Sequence, residues 1–497
     1  MMRMPTRAIW VVYLLLLVVL ATANAAGYRY GVADQAFYIP SIMDDVQPQL
    51  FPRDTELLRA QDTLMVSDEL LAGAVKLGAP LPWLMLAGYV ASLLVLFSAA
   101  LSLGRQYNAH AWTTAAFCAA LTLRHRITKT GANSFEGYFH PRVAAFACGA
   151  AAVAAVARDR LPLAWALTLL ASVLHPTTGV WWAVWLGVTC WVVRPAWRRM
   201  LSVGAVSGAL VAFWMLARGP LAGRLAVMDE RWTRVLASKD YVFPDEWTLV
   251  PWLVNLLSVA IVAGVWRLRV ARGVARPWEA GAAAGVLALV AIFLASMPFI
   301  DARVALAVQL QTSRVFWLVD FLAVAAITWL VAEAWLAAGP RAAMRPAITC
   351  ALVLAVAAGR GTYILVVERP GRDLVQATLE ANAWQDVGAW AVRTTPTDAH
   401  LLVDPDHDWK FGHSLRIMAQ RDVLVEGVKD TAVAMYSREI ALRVDERVTA
   451  IGDFATLTPD RARALARRYD LDYLVIDRRL PMPEAYRNSQ FYVYRLQ

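Results

Sequence analysis

Apolar stretches of about 16–24 residues, almost free of charge, recur along this chain, and that is the length a helix needs to cross a bilayer. VVYLLLLVVL, WLMLAGYVASLLVLFSAALSLG and VFWLVDFLAVAAITWLVAEAWL are three of them. Hydropathy windows place spans near residues 8–26, 80–103, 109–124, 141–157, 161–176, 177–193, 200–217, 249–268, 278–299, 314–337 and 344–367, about eleven by this criterion. The predicted fold class is therefore an α-helical polytopic membrane protein. The totals agree: 59% of the 497 residues are hydrophobic and 18% charged, against about 45–50% and about 25% in soluble domains.

A net charge of +9 raises the question of nucleic acid, and the distribution answers it. The arginines sit in short linkers between apolar blocks, where they orient helices in a membrane. Nucleic acid is excluded as a partner on that ground, and membrane lipids are expected. Cys118, Cys148, Cys190 and Cys350 all lie inside apolar segments. Their spacing fits neither a zinc site nor a disulfide framework, and they read as small buried hydrophobes.

With the N-terminal MMRMPTR in the cytoplasm, RDR, RPAWRR, RLRVARGVAR and PRAAMR fall on the same side. The opposite linkers, 27–79, 125–140 and 218–248, are longer and mixed in charge, as the positive-inside rule requires. RHRITK (124–129) is the one linker that disagrees. The first span has a second reading, because ATANAA resembles a signal-peptidase site. Either way residues 27–79 form an extracytoplasmic loop. An odd number of spans also places the C-terminus outside. The expected domains are an N-terminal anchor over 1–26, this loop over 27–79, a multi-span region over 80–367 and a tail over 368–497.

In the tail the apolar blocks stop. AHLLVDPD, RDVLVEG, DYLVIDR and FYVYRL read as strands, and YSREIALRVDERV and TPDRARALARRY as amphipathic helices. They predict a small extracytoplasmic α/β domain. A strand ending in Asp404-Pro-Asp406 with His407 and His413 also invites a divalent cation or a nucleotide diphosphate. Too little chain precedes it for a nucleotide-binding half, so a solvated loop is the plainer reading, and no other cofactor is indicated.

The layout and several motifs carry a resemblance. GVADQAFY (31–38) follows the first span, and LFPRD (50–54), SFEGYFHPR (134–142), LHPTTGVWW (174–182) and LQTSRVFWLVD (310–320) follow in order. Together with the external tail they resemble the GT-C superfamily of membrane glycosyltransferases, and in particular bacterial GT-C-like proteins. The resemblance implies a multi-pass protein of the bacterial inner membrane. It implies transfer of a sugar from a polyprenyl-phosphate donor to an extracytoplasmic glycan, lipid or protein acceptor. Asp34 then stands at the family's acidic position. Gln35 replaces the second acid often found there, which leaves one carboxylate.

The residues support roles of the same kind. Asp34, beside Tyr28, Tyr30, Phe37 and Tyr38, suits a base for an acceptor hydroxyl, and Tyr38 suits a sugar ring. An alternative reading makes Asp34 a helix cap. Arg53, Arg142 and Arg314 lie on external segments and suit a lipid phosphate, or they snorkel at span ends. His140, His175 and Glu136 are further candidates, each also explicable as a helix-end residue. Asp320 and Glu333 fall inside a predicted span and should face the bundle interior or an end. Two other functions remain: a non-catalytic scaffold or glycan-binding envelope protein, and a transporter or flippase.

Overall fold

The computed structural model describes residues 7–62, 65–335 and 342–496, and the predicted cytoplasmic MMRMPT and the start of PRAAMR lie outside them. The chain divides into two compact units.

The first unit comprises residues 1–28, 87–226 and 240–375. It is helical apart from a hairpin of two short strands, β1 (Arg126–Ile127) and β2 (Ala132–Asn133). Among the described residues of the whole chain, six helices are long and apolar enough to cross a membrane: Leu81–Tyr107, Pro195–Ala217, Leu249–Ala271, Pro277–Asp301, Ala305–Ala332 and Met344–Glu368. That is fewer than the eleven hydropathy windows. Ala8–Asn24, Ala111–Ala120, Pro141–Ala157 and Leu161–Leu174 are apolar but shorter. His140-Pro141 starts one helix, and His175-Pro176 stops one helix and starts the next, which cuts the apolar sequence into short rods.

Pro195–Ala217 shows most directly what surroundings this unit needs. Its mean hydropathy is 1.9 and no part of it is buried. Val203, Val206, Leu210, Phe213 and Trp214 are all more than half exposed. A continuous apolar surface of this kind is unstable in water and consistent with contact to lipid.

Charges inside the helical unit are paired. Glu333 ends the Val315–Ala332 helix and accepts hydrogen bonds from the backbone N–H groups of Ala109 and His110 at 3.0 and 2.8 Å, capping the helix that starts at Ala111. Asp320 meets His125 Nε2 at 3.0 Å. Arg269, from a predicted basic linker, is instead buried against Glu279 at 2.8 Å. All four cysteines are buried and unbridged.

The second unit comprises residues 29–86, 227–239 and 376–497, so the first loop groups with the tail. Its sheet has the order β4-β3-β5-β7-β6, where β3 is His400–Leu402, β4 Asp422–Val423, β5 Tyr473–Ile476, β6 Glu484–Arg487 and β7 Tyr492–Arg495. β3 runs parallel to β4 and β5, whereas β7 is antiparallel to both its neighbours. The four predicted strands are all present. β6 was not predicted, because EAYR is nearly all exposed and carries no apolar alternation. Trp384, Trp390, Leu401, Met418, Val475 and Phe491 belong to the core on this sheet.

A fully buried charge network ties LFPRD to the tail. Asp54 accepts from Arg416 Nε at 2.8 Å and also meets Arg443. Arg416 further contacts Glu426 and Asp430 at 3.3 and 3.2 Å; Asp54, Arg416, Glu426 and Asp430 are each at most 2% exposed, and Arg443, at the edge of the set, is 17% exposed. Asp422 accepts the backbone N–H groups of Arg53 and Asp54 at 3.0 and 3.1 Å.

His400 stands beside this network. Its Nδ1 faces the carbonyls of Tyr469 and Asp470, and its buried Nε2 has no partner among the described residues. Burial, helped by Arg447 and Arg53 and opposed by Asp54, lowers its pKa to about 4. A histidine depressed in this way stabilises the fold above its unfolded value of about 6.5, and that contribution is lost as pH falls toward 4. The stability of the natural chain relative to His400→Gln should therefore decline by up to about 3 kcal/mol between pH 6.5 and 4, and stay level below. Urea titrations of both proteins across that range check it, and a pH-independent difference would contradict it.

Candidate functional site

The sequence candidates separate between the units. Glu136, His140, Arg142, His175 and Arg314 belong to the helical unit, whereas Asp34, Tyr38 and Arg53 belong to the unit with the sheet.

In the helical unit the starts of three helices converge. The Pro141–Ala157 and Pro176–Val193 helices approach closely because Gly149 leaves room for Trp182, whose ring lies 2.0 Å from where a Cβ would stand. Phe146 stacks on Trp317 of the Val315–Ala332 helix at 3.9 Å and tilts against Trp182 at 5.4 Å. This aromatic layer fixes the three helices within the first two turns of each.

Polar groups occupy those ends. His140 caps the first helix, with Nδ1 accepting the Arg142 backbone N–H at 3.1 Å. His175 caps the second, with Nδ1 accepting from Thr178 N–H at 3.3 Å. Each neutral ring must then carry its proton on Nε2, so both present a donor. The two rings lie 6.4 Å apart, edge to face, and His175 lies in the fields of Arg314, His140 and Arg142. Ser313, at the start of the third helix, is buried, and its hydroxyl has no hydrogen-bond partner among the described residues.

Glu136 is buried and positions the arginines. Its carboxylate accepts from Arg124 at 3.0 Å, from Asn133 at 3.0 Å and from Arg142 at 3.4 Å. The Arg142 guanidinium also donates to the Gly131 carbonyl and lies over Trp317. With Arg124, Arg142 and Arg314 positive and Glu136 negative, this group carries a net charge of +2. It offers guanidinium and imidazole donors together with helix N-termini, which is the chemistry of an anion site. Arg124, Asn133 and Ser313 were missed from sequence. RHRITK reads only as the one basic linker against the predicted orientation, and no local pattern pairs Arg124 with Glu136.

In the other unit Asp34 is partly buried and precedes the Gln35–Val46 helix, yet its side chain makes no cap hydrogen bond. Lys239, also unpredicted, lies in its field. Burial and Lys429 lower the Lys239 pKa to about 8, and Asp34 and Asp408 oppose that shift. Gln35 is fully buried and braces the turn before the helix, where its Oε1 accepts the Gly31 N–H at 2.7 Å and Gly31 has φ +79°. The aromatics disperse: Tyr28 packs on Tyr89 at 4.9 Å within the helical unit, whereas Phe37 and Tyr38 pair edge to face at 4.7 Å. Arg53 donates to Asp470 at 2.7 Å and to the Asp398 carbonyl at 2.6 Å, so its guanidinium is engaged with the tail.

The tail acids do not fit a cation. Asp404 accepts the Asp406 N–H and pairs with Lys410, and His407 Nε2 faces Glu426 at 3.2 Å. Among the described residues no group of three or more His, Cys, Asp or Glu is placed to hold a metal ion. Compared with known proteins, the chain matches no family model and no curated protein.

Proposed function

We propose that this chain is a GT-C-type membrane glycosyltransferase that moves a sugar from a polyprenyl-phosphate donor to an extracytoplasmic acceptor. The observation that carries the reading is the gathering of guanidinium and imidazole donors at the starts of three apolar helices, where Arg142, Arg314, His140 and His175 meet. A lipid-borne phosphate suits such a place, because its tail stays among apolar helices while its charge meets arginines. In this reading the N-terminus is cytoplasmic, the unit with the sheet is extracytoplasmic, and the four shorter apolar helices together with Pro176–Val193 complete an eleven-span bundle. Asp34 takes the proton of the acceptor hydroxyl as the oxygen bonds to the sugar carbon. The bond from that carbon to the phosphate oxygen breaks, and the phosphate leaves with the electron pair.

A deletion strain analysed by mass spectrometry of surface glycans and lipid-linked sugars tests this. Loss of one sugar with accumulation of its lipid donor is expected. An unchanged glycan profile, with altered lipid flipping or uptake in proteoliposomes, would replace the reading with a transporter. Arg314→Met should weaken donor binding by about ten- to hundredfold, the worth of a charge-assisted contact. Donor titration with purified protein measures it, and an unchanged donor KM would remove Arg314 from the site.

A further inference from the structure

Within the unit that carries the sheet lies a groove of about 680 Å³, inside the roughly 300–1,000 Å³ range of small-molecule sites. The Gln35–Val46 and Ser67–Lys76 helices form one wall, and residues 378–385 with 417–420 form the other. Its floor is aliphatic. Ile39, Ile42, Leu50 and Ile417 are almost fully buried there and offer little surface to a ligand. A ligand meets the half-buried Met43, Val46, Val75 and Leu379, and a rim where Gln47 is exposed and Gln385 and Gln420 are half-buried.

Two features define the occupant. First, no Asp, Glu, Lys, Arg or His lines the groove among the described residues, in a chain with 48 Lys and Arg and 39 Asp and Glu. A phosphate or carboxylate would enter it with no counter-charge. Second, the hydrogen bonds of Gln47, Gln385 and Gln420 are made by their backbones, and their side-chain amides have no partner among the described residues. An acyl chain would strip water from three amides and return no hydrogen bond. Each amide is both donor and acceptor, as is each sugar hydroxyl, and the half-buried aliphatic side chains between them match the C–H face of a sugar ring.

We propose that this groove binds a short neutral oligosaccharide. The proposal names an acceptor class for the transferase reading and rests on that reading for its role, though not for the binding itself.

The test presents the full-length chain, in phosphatidylcholine nanodiscs, to an array of neutral linear oligosaccharides and their uronic-acid counterparts. Retention of at least one neutral oligosaccharide and rejection of its uronic-acid counterpart are expected. Gln47→Leu with Gln385→Leu should weaken that retention by at least about tenfold, since a site built to bond hydroxyls loses strongly when its polar groups go. Val46→Trp, which fills the groove, should abolish it. The glutamines have no side-chain bonds to lose, so an unchanged melting temperature shows that the double variant is folded. Retention of no neutral oligosaccharide overturns the proposal, as does equal retention of the acidic set or undiminished binding in the double variant. Native mass spectrometry adds a further outcome: a co-purified lipid displaced by Val46→Trp would make the groove a lipid site. Saccharide binding without sugar transfer would overturn the transferase reading and leave the groove standing. Sugar transfer without saccharide binding would overturn the groove alone.

Discussion

Asp34→Asn is expected to lower sugar transfer by about 10²- to 10⁴-fold, the usual worth of a positioned general base. Asparagine keeps the size and polarity of the side chain and loses its capacity to take a proton. A second signature follows from Lys239. Asp34 raises its pKa against burial and Lys429, which together bring it to about 8. Without that carboxylate the lysine should titrate lower still, and the alkaline limb of its reactivity toward an amine reagent should move to lower pH. Expression-matched complementation, with mass spectrometry of the glycan product, measures transfer. If Asp34→Asn restores the wild-type glycan at the wild-type rate, the base lies elsewhere and the scaffold reading gains.

Arg416→Met should lower the unfolding free energy by about 3–5 kcal/mol, as is usual when one partner leaves a buried ion pair. Arg416 is wholly buried among Asp54, Glu426 and Asp430. Once it is gone, three carboxylates face one another with Arg443, at the edge, to oppose them. Glu426 shows how much they rely on it: burial would raise its pKa, but Arg416 and then His407 bring it to about 2. Urea unfolding at neutral pH measures the loss. Adding Asp54→Asn to Arg416→Met should restore part of the stability, because one uncompensated charge disappears, and the two effects should fail to add. Strict additivity would mean that Asp54 and Arg416 are not coupled, contrary to their 2.8 Å contact.

These two residues also show how far local sequence reached. GVADQAFY drew attention to Asp34 by its place after an apolar stretch, and no contact was needed to see it. LFPRD drew attention to Arg53, but the buried residue is its neighbour Asp54, whose partner is 362 residues away. Nothing in a window of ten residues distinguishes an aspartate headed for a buried arginine from one headed for water. The same holds for Gln35, read as standing where the family often has a second acid and found bracing a turn.

The sequence alone determined the features whose cause is local. Apolar runs set the long helices, because covering the backbone with hydrocarbon side chains requires no partner to specify it. His140-Pro141 and His175-Pro176 set two helix starts, since proline fixes its own φ and the preceding ring caps the N–H groups that follow. Short apolar runs bounded by charged residues set four strands of the tail sheet. The tertiary structure decided which charges meet. Arg124 with Glu136, His125 with Asp320, Arg269 with Glu279 and Asp54 with Arg416 are pairs that only the folded path of the chain brings together. It also decided that the first loop and the tail share one unit and enclose one groove. The physical reason is range: helix and strand patterns report neighbours a few residues apart, whereas ion pairs and cavities are set by which surfaces pack, and that depends on the whole chain at once.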